Sequence, residues 1–282
     1  MYNFSIGVML DSFRTDVHTA MHKAQALGAA GLQVYASRGE MAPENLTPEK
    51  KREFLKTAED CGLKIAALCG DLGHGFGDPE KNPELIEKSK RILDLARELG
   101  TNVVTTHIGV VPEDPAHPRY AIMQQACGEL ARAADAMGGH FAIETGPERA
   151  ETLRAFLDSL HSTGVAVNLD PANFVMVTGD DPAAAVYTLR DYIVHTHAKD
   201  GIKLLERDPE IIYGLRPIEE IIEEGEAFRE VPLGEGSVNW EKYLAALDDI
   251  GYCGFLTIER EVGEDPAADI GKAIRFLQRY VG

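Results

Sequence analysis

HFAIETGPERAETLRAFLDSLHSTGVAVNLDP, residues 140–171, reads as one complete strand–helix–strand unit. Apolar, β-rich runs open and close it, and between them apolar residues recur at three- and four-residue steps, the signature of a helix with one buried face. Units of this kind build a parallel sheet with helices packed outside it. The pattern extends along the whole chain. Comparable runs begin at Phe4, Gly31, Lys64 and Asn102, then at His140, Val165, Tyr192 and Phe255. Helix-like stretches lie between them: TPEKKREFLKTAEDCG, with Thr47 as N-cap and Gly62 at its end, PELIEKSKRILDLARELG, and RYAIMQQACGELARAADAMGG. Side-chain oxygens satisfy free N–H groups at such helix starts, and glycine accommodates the left-handed turn at their ends. Eight units with short connections predict a (β/α)8 TIM barrel, α/β in class, as a single domain over residues 1–282. An open doubly wound sheet is the alternative, but no G-x-G-x-x-G follows the first run to support a dinucleotide site.

One connection breaks the rhythm. Glu144 and Asp170 stand 26 residues apart and Asp170 and His197 27, yet His197 and Glu259 are separated by 62. The excess falls in residues 201–238, an insertion after the seventh strand. An insertion there is expected to lie over the barrel mouth as a lid, because active sites of this architecture form at the C-terminal ends of the strands.

Composition narrows the function. With 46 acidic against 28 basic side chains the net charge is −18, a field that repels phosphate backbones, so nucleic acid is not an expected partner. No apolar run approaches the length of a membrane helix, and MYNFSIGVML lacks the basic lead of a signal peptide, so no membrane partner is expected. Four scattered cysteines without a C-x-x-C fit reduced thiols in a cytoplasm. Homo-oligomerisation is left open.

YIVHTHAKDG, residues 192–201, locates the chemistry. Side chains alternate across a strand, so His195, His197 and Lys199 share one face and Val194, Thr196 and Ala198 the other. The same alternation pairs Ala142 with Glu144, Asn168 with Asp170, Thr105 with His107, and Thr257 with Glu259 and Glu261. Each strand thus keeps an apolar face for the helix layer and turns polar groups inward at its C-terminal end. Glu144, Asp170, His197 and Glu259 are thereby delivered to one region. Three carboxylates together repel one another unless a cation neutralises them. One imidazole with three carboxylates suits a divalent ion, with Mn²⁺ preferred over Mg²⁺, Co²⁺ or Zn²⁺.

The motifs AIETGPE, NLDPANF, HTHAKD, PLGEGSVNW and LTIERE, in this order and spacing, resemble the xylose isomerase-like TIM barrels, and more narrowly the sugar phosphate isomerase/epimerase group. The resemblance covers nearly the whole chain. It implies metal ligands at the ends of strands five to eight, which map onto Glu144, Asp170, His197 and Glu259. It also assigns the ligand of HTHAKD to His197 and leaves His195 deeper in the barrel. Asn173 stands where ketose 3-epimerases of the group carry a histidine, and their arginine beyond strand seven is not evident. Endonuclease IV shares the superfamily, but its three-metal cluster needs ligands missing here.

The expected activity is a metal-dependent sugar isomerase or epimerase that removes a proton beside the carbonyl of a small carbohydrate or keto-polyol. Glu144 and Glu259 are the acid/base pair, each also a metal ligand. His107, Glu148, Asn173, Lys199 and Glu235 are the candidates for substrate contacts, with Lys199 alternatively paired to Asp200 or Glu235. The same carbanion supports β-elimination in a lyase or dehydratase acting on an inosose or 3-keto-glycoside. A non-catalytic metal-binding barrel is the remaining alternative.

Overall fold

The computed structural model describes residues 1–216 and 225–282. Its strands in chain order are β1 (Ser5–Met9), β2 (Gly31–Tyr35), β3 (Lys64–Cys69), β4 (Val103–Thr106), β5 (His140–Glu144), β6 (Val165–Leu169), β7 (Ile193–Ala198), β8 (Asp200–Lys203), β9 (Phe228–Val231) and β10 (Phe255–Ile258). All except β8 and β9 form a closed barrel in the order β1-β10-β7-β6-β5-β4-β3-β2. Every pairing in it is parallel, and the ring closes through Ser5 beside Phe255 and Gly7 beside Gly31. The eight barrel strands are the eight runs read from the sequence.

Helices α1 (Val17–Leu27), α2 (Pro48–Asp60), α3 (Asn82–Glu98), α4 (Pro118–Ala136) and α5 (Ala150–Leu160) cover the first five crossings. Thr47 caps α2 by accepting from the Lys50 N–H, and Gly62 follows that helix with φ +66°. A short helical turn, α6 (Pro171–Asn173), opens directly on β6, and α7 (Pro182–Leu189) completes that crossing. After β8 come α8 (Pro209–Ile212) and β9, then α9 (Trp240–Asp249) and, beyond β10, α10 (Pro266–Leu277). Phe54, Phe141, Phe156 and Tyr243 are fully buried between strands and helices. Each such side chain contributes about 1.5–3 kcal/mol relative to leaving it in water.

Inside the barrel the fill is graded. Ala67, Val103, Ala142 and Ala166 form a small apolar plug on which Val194 packs. Polar residues occupy the interior beyond it. Val194 departs from strict alternation, which put it on the outer face with Thr196. Val167 pairs with Ile193 but Asn168 with His195, so β7 carries one extra residue at Val194. This bulge turns Val194 inward and re-aims the strand so that His195 and His197 both stay inside.

The insertion after β7 builds an antiparallel ribbon, with Asp200 opposite Val231 and Lys203 opposite Phe228. Part of the insertion, residues 217–224, lies outside the described residues. Asp200 ties the ribbon to the barrel. Its carboxylate accepts from the Gly201, Gly234 and Val238 backbone N–H groups and from Trp240 Nε1. A Cβ on Gly236 would come within 2.1 Å of Asp200 Oδ1, so the GEG turn is wrapped onto this carboxylate. Asp200 is therefore spent on the loop and is no partner for Lys199.

Candidate metal and substrate site

Glu144 ends β5, Asp170 follows β6, His197 lies in β7 and Glu259 follows β10. One ligand atom from each lies within 4.8 Å of every other. His197 Nδ1 is 3.5 Å from Glu144 Oε1, 3.5 Å from Asp170 Oδ2 and 3.3 Å from Glu259 Oε2. The four residues are between 0% and 7% exposed, so water does not screen them. Buried polar atoms normally find hydrogen-bond partners. Here His197 Nδ1 and Asp170 Oδ2 have none. The rest of the Asp170 carboxylate is committed: Oδ1 accepts from the Ala172 and Asn173 N–H groups as the N-cap of α6. Its free oxygen and the free imidazole nitrogen thus converge with two glutamates on a common point. That arrangement could hold a divalent cation, which would supply the missing partner to each atom at once.

Gln33, absent from the candidates read along the sequence, orients the imidazole. Its Oε1 accepts from His197 Nε2–H at 3.1 Å and from His195 Nε2–H at 3.0 Å, and its Nε2 donates to Thr105 Oγ1 at 2.8 Å. This contact turns Nδ1 toward the carboxylates, where it would bind a cation once it gives up the proton that the carboxylates favour there. Burial and the neighbouring His197 push the His195 pKa down to about 3, so that ring is a neutral support. The signal for Gln33 was available: it is the single polar residue inside the apolar run GLQVYA. Replacing Gln33 with Leu should weaken Mn²⁺ binding about 10- to 100-fold in a calorimetric titration, and unchanged affinity would remove Gln33 from this role.

The cluster's charges follow from its neighbours. Burial opposes ionisation of Glu144, but His107 and His197 outweigh it and hold the carboxyl below its ordinary value. Glu259 is likewise held down, against burial, by Lys199 and His197. Burial disfavours the imidazolium of His197, yet Glu259 and Glu144 keep its pKa well above normal. Lys199 Nζ donates to Glu259 Oε2 at 3.1 Å and also to Glu261, and lies 4.0 Å from Glu230 Oε2. Arg260 Nη1 donates to Glu230 Oε1 at 2.6 Å, which extends the network behind the site. Lys199 thus pairs with carboxylates at the end of β10 and on β9, not with Asp200 or Glu235.

A cavity of about 690 Å³ lies over the cluster, lined by Glu144, Glu259, His107, Asn173 and Lys199, among others. Tyr35 and Asp71 border it near β2 and β3, and Met176, Tyr213 and Phe228 add an apolar wall. His107 Nε2 lies 3.5 Å from Glu144 Oε1. Asn173 Nδ2 donates to Thr145 O at 3.0 Å and reaches Glu144 Oε1 at 3.4 Å. Glu148 faces an adjoining cavity of about 380 Å³ with Arg119 and Arg149. Its Oε2 accepts from the Val111 N–H, its Oε1 is unpartnered, and burial pushes its pKa up to about 8. Glu235 lines neither cavity. It is exposed on the turn wrapped around Asp200 and does not line the cavity, because that turn is pinned to Asp200 through Gly234 and Val238. Tyr35, Asp71, Tyr213 and Phe228 were not read from the sequence, since nothing in their local pattern distinguishes them from packing residues.

No helix among the described residues is long and apolar enough to cross a membrane. A structure of a xylose isomerase domain protein from Planctomyces limnophilus superposes with a TM-score of 0.78 at 27% identity, covering 99% of this chain and 96% of that one. The probable 3-DHS dehydratase AsbF of Bacillus anthracis superposes with a TM-score of 0.73 at 18% identity over 98% and 99% of the two chains, which shows a shared fold. The L-ribulose-5-phosphate 3-epimerase UlaE of Escherichia coli is 48% identical over 48 residues, 16% of this chain. The matched stretch spans only 17% of that epimerase's length. A family model described as xylose isomerase-like TIM barrel matches residues 21–280, and the chain belongs to that family.

Proposed function

We propose that the protein is a metal-dependent sugar isomerase or epimerase that moves a proton on a carbon beside a carbonyl. The observation that carries this reading is the convergence of Glu144, Asp170, His197 and Glu259 around two buried, unpartnered ligand atoms at the floor of a sugar-sized cavity. These residues would hold the ion, with Mn²⁺ preferred. When bound, it supplies Lewis-acid polarisation of the carbonyl and neutralises charge that grows on the substrate oxygens.

Everything else is done by side chains. Glu144 and Glu259 come from strands separated in the ring by β6 and β7, so they reach a bound substrate from different directions. Whichever takes the proton becomes a carboxylic acid. Returning it to the neighbouring carbon, while the proton of the adjacent hydroxyl passes to the former carbonyl oxygen, gives isomerisation. Epimerisation requires delivery to the opposite face by the other carboxylate, with the two starting in opposite protonation states. Lys199 fixes Glu259 in place, while His107 and Asn173 flank Glu144 and can meet substrate hydroxyls. Glu148, held neutral by burial, can donate a hydrogen bond to a ligand at the edge of the site. The insertion after β7 serves as the lid. Ile212, Tyr213 and Phe228 from it line the cavity, and the Tyr213 ring centroid lies 6.2 Å from that of His107.

The size of the cavity favours one second reading, elimination of water or an aglycone from an inosose or a 3-keto-glycoside through the same carbanion. Incubating the Mn²⁺-loaded protein with ketoses, inososes and 3-keto-glycosides in D₂O separates the possibilities. Deuterium appearing beside the carbonyl is the expected result. Release of water or aglycone instead supports the lyase. Tight Mn²⁺ binding with neither outcome for any of these compounds would leave a non-catalytic metal-binding barrel.

A further inference from the structure

Arg119, in the first turn of α4, donates through Nη2 to Glu210 Oε1 of α8. The partners come from two sides of the site. Helix α4 lies on the crossing that follows β4 and His107, whereas α8 belongs to the insertion after β7. Their side chains are 18% and 28% exposed, so water screens this pair less than an ordinary surface ion pair.

The barrel rim is shaped around Arg119. Gly77, in the loop after β3, lies against its stem: a Cβ there would stand 2.9 Å from Arg119 Cδ and 3.1 Å from Cγ. That loop is tied to the end of β4, with the Phe76 N–H donating to Ile108 O at 2.9 Å. On the insertion side the Glu210 carboxylate also meets Arg216, whose Nε lies 3.3 Å from Oε2.

Glu210 and Tyr213 belong to one helical turn. Asp208 caps it by accepting from the Glu210 N–H at 2.8 Å, and the Tyr213 N–H closes it on Pro209 O at 2.9 Å. Holding Glu210 therefore sets the Tyr213 ring. That ring lines the cavity over the cluster and stands 6.2 Å from the His107 ring, centroid to centroid, at an interplanar angle of 52°. His107 Nε2 in turn lies 3.5 Å from Glu144 Oε1. Arg119 and Glu210 line the adjoining cavity and not this one, so they act on the site only through Tyr213.

We infer that Arg119 is a positioning residue: by holding Glu210 it seats Tyr213 beside His107 and keeps the insertion closed over the substrate. The role in substrate capture rests on the sugar-isomerase reading, whereas the seating of Tyr213 is independent of any reaction.

The seating is read without turnover. In protein carrying isotopically labelled histidine, with Mg²⁺ as a diamagnetic ion and at one pH, the His107 Cε1–H resonance is assigned by its loss in His107→Gln. Tyr213→Leu should move it by removing the ring current. Arg119→Met, which keeps the stem against Gly77 and removes the charge, should move it to the same place. Arg119→Lys should hold it near the wild-type position. The Tyr213 and Leu215 amide protons should exchange about tenfold faster in Arg119→Met, the effect of losing a partly buried charged hydrogen bond. A resonance unmoved by Tyr213→Leu, or moved by Tyr213→Leu but not by Arg119→Met, overturns the proposal. So does an Arg119→Lys variant that matches Arg119→Met, since the charge would then play no part. For a ketose that exchanges deuterium, Arg119→Met should raise KM about tenfold with kcat within about twofold, because saturating substrate draws the insertion shut. An unchanged KM overturns the role in capture. If no sugar exchanges, the reaction is refuted, and the His107 resonance still decides whether Arg119 seats Tyr213.

Discussion

Glu144→Gln and Glu259→Gln should each lower deuterium exchange by about 10²- to 10⁴-fold, the range for loss of a positioned general acid or base. Glutamine preserves size and one coordinating oxygen but cannot accept the substrate proton. Each substitution also removes one of three buried carboxylates packed around His197, so loss of metal must be separated from loss of chemistry. Asp170→Asn is the control. Asp170 is tied down through Oδ1 as the cap of α6 and offers only Oδ2 to the centre, so in the proposed mechanism it would be a ligand with no proton to carry. Its variant should bind Mn²⁺ more weakly yet regain exchange at saturating Mn²⁺. The two glutamine variants should stay defective there. If both retain wild-type exchange with metal bound, Glu144 and Glu259 are not the acid/base pair.

Glu148→Gln should raise stability by about 3 kcal/mol at pH 7 and leave it unchanged near pH 4. Burial raises the Glu148 pKa from 4.5 to about 8 in the folded chain. Below the unfolded value both states hold the proton and nothing is lost. As pH rises, the unfolded chain releases its proton while the folded one keeps it, so folding loses about 1.4 kcal/mol per pH unit until the folded group also ionises near pH 8. Glutamine removes that titration and keeps an oxygen to accept the Val111 N–H. For a chain of this size each kcal/mol moves the melting temperature by about 2–4 °C, so the variant should melt roughly 5–10 °C higher at neutral pH. A wild-type carboxyl with unpartnered Oε1, retained despite this cost, fits a group kept neutral to meet a ligand. Equal melting curves from pH 5 to pH 8 would show that Glu148 is solvated in solution.

The barrel was legible in the amino-acid sequence because its determinants are local. A buried parallel strand needs a short β-rich run, a covering helix needs apolar residues at helical spacing, and both repeat eight times here. The four ligand candidates were legible for a related reason. Alternation along a strand fixes which face a side chain takes, so Glu144, Asp170, His197 and Glu259 announce themselves as polar residues at the inward C-terminal ends of apolar runs. The rule failed at Val194, where a bulge that depends on pairing with β6 adds a residue.

What only the tertiary structure decided is partner choice across long stretches of chain. Lys199 could have paired with Asp200 next to it, but Asp200 is consumed by the turn at 234–240, and Lys199 reaches residues about sixty positions away just beyond β10. Glu235 is carried out of the site by that same turn. Gln33 and His197, far apart in the chain, meet because ring closure brings β2 and β7 to face one interior. Periodicity reports which way a side chain points. Which charge it meets there is set by closure of the ring and by hydrogen bonds that compete for each carboxylate.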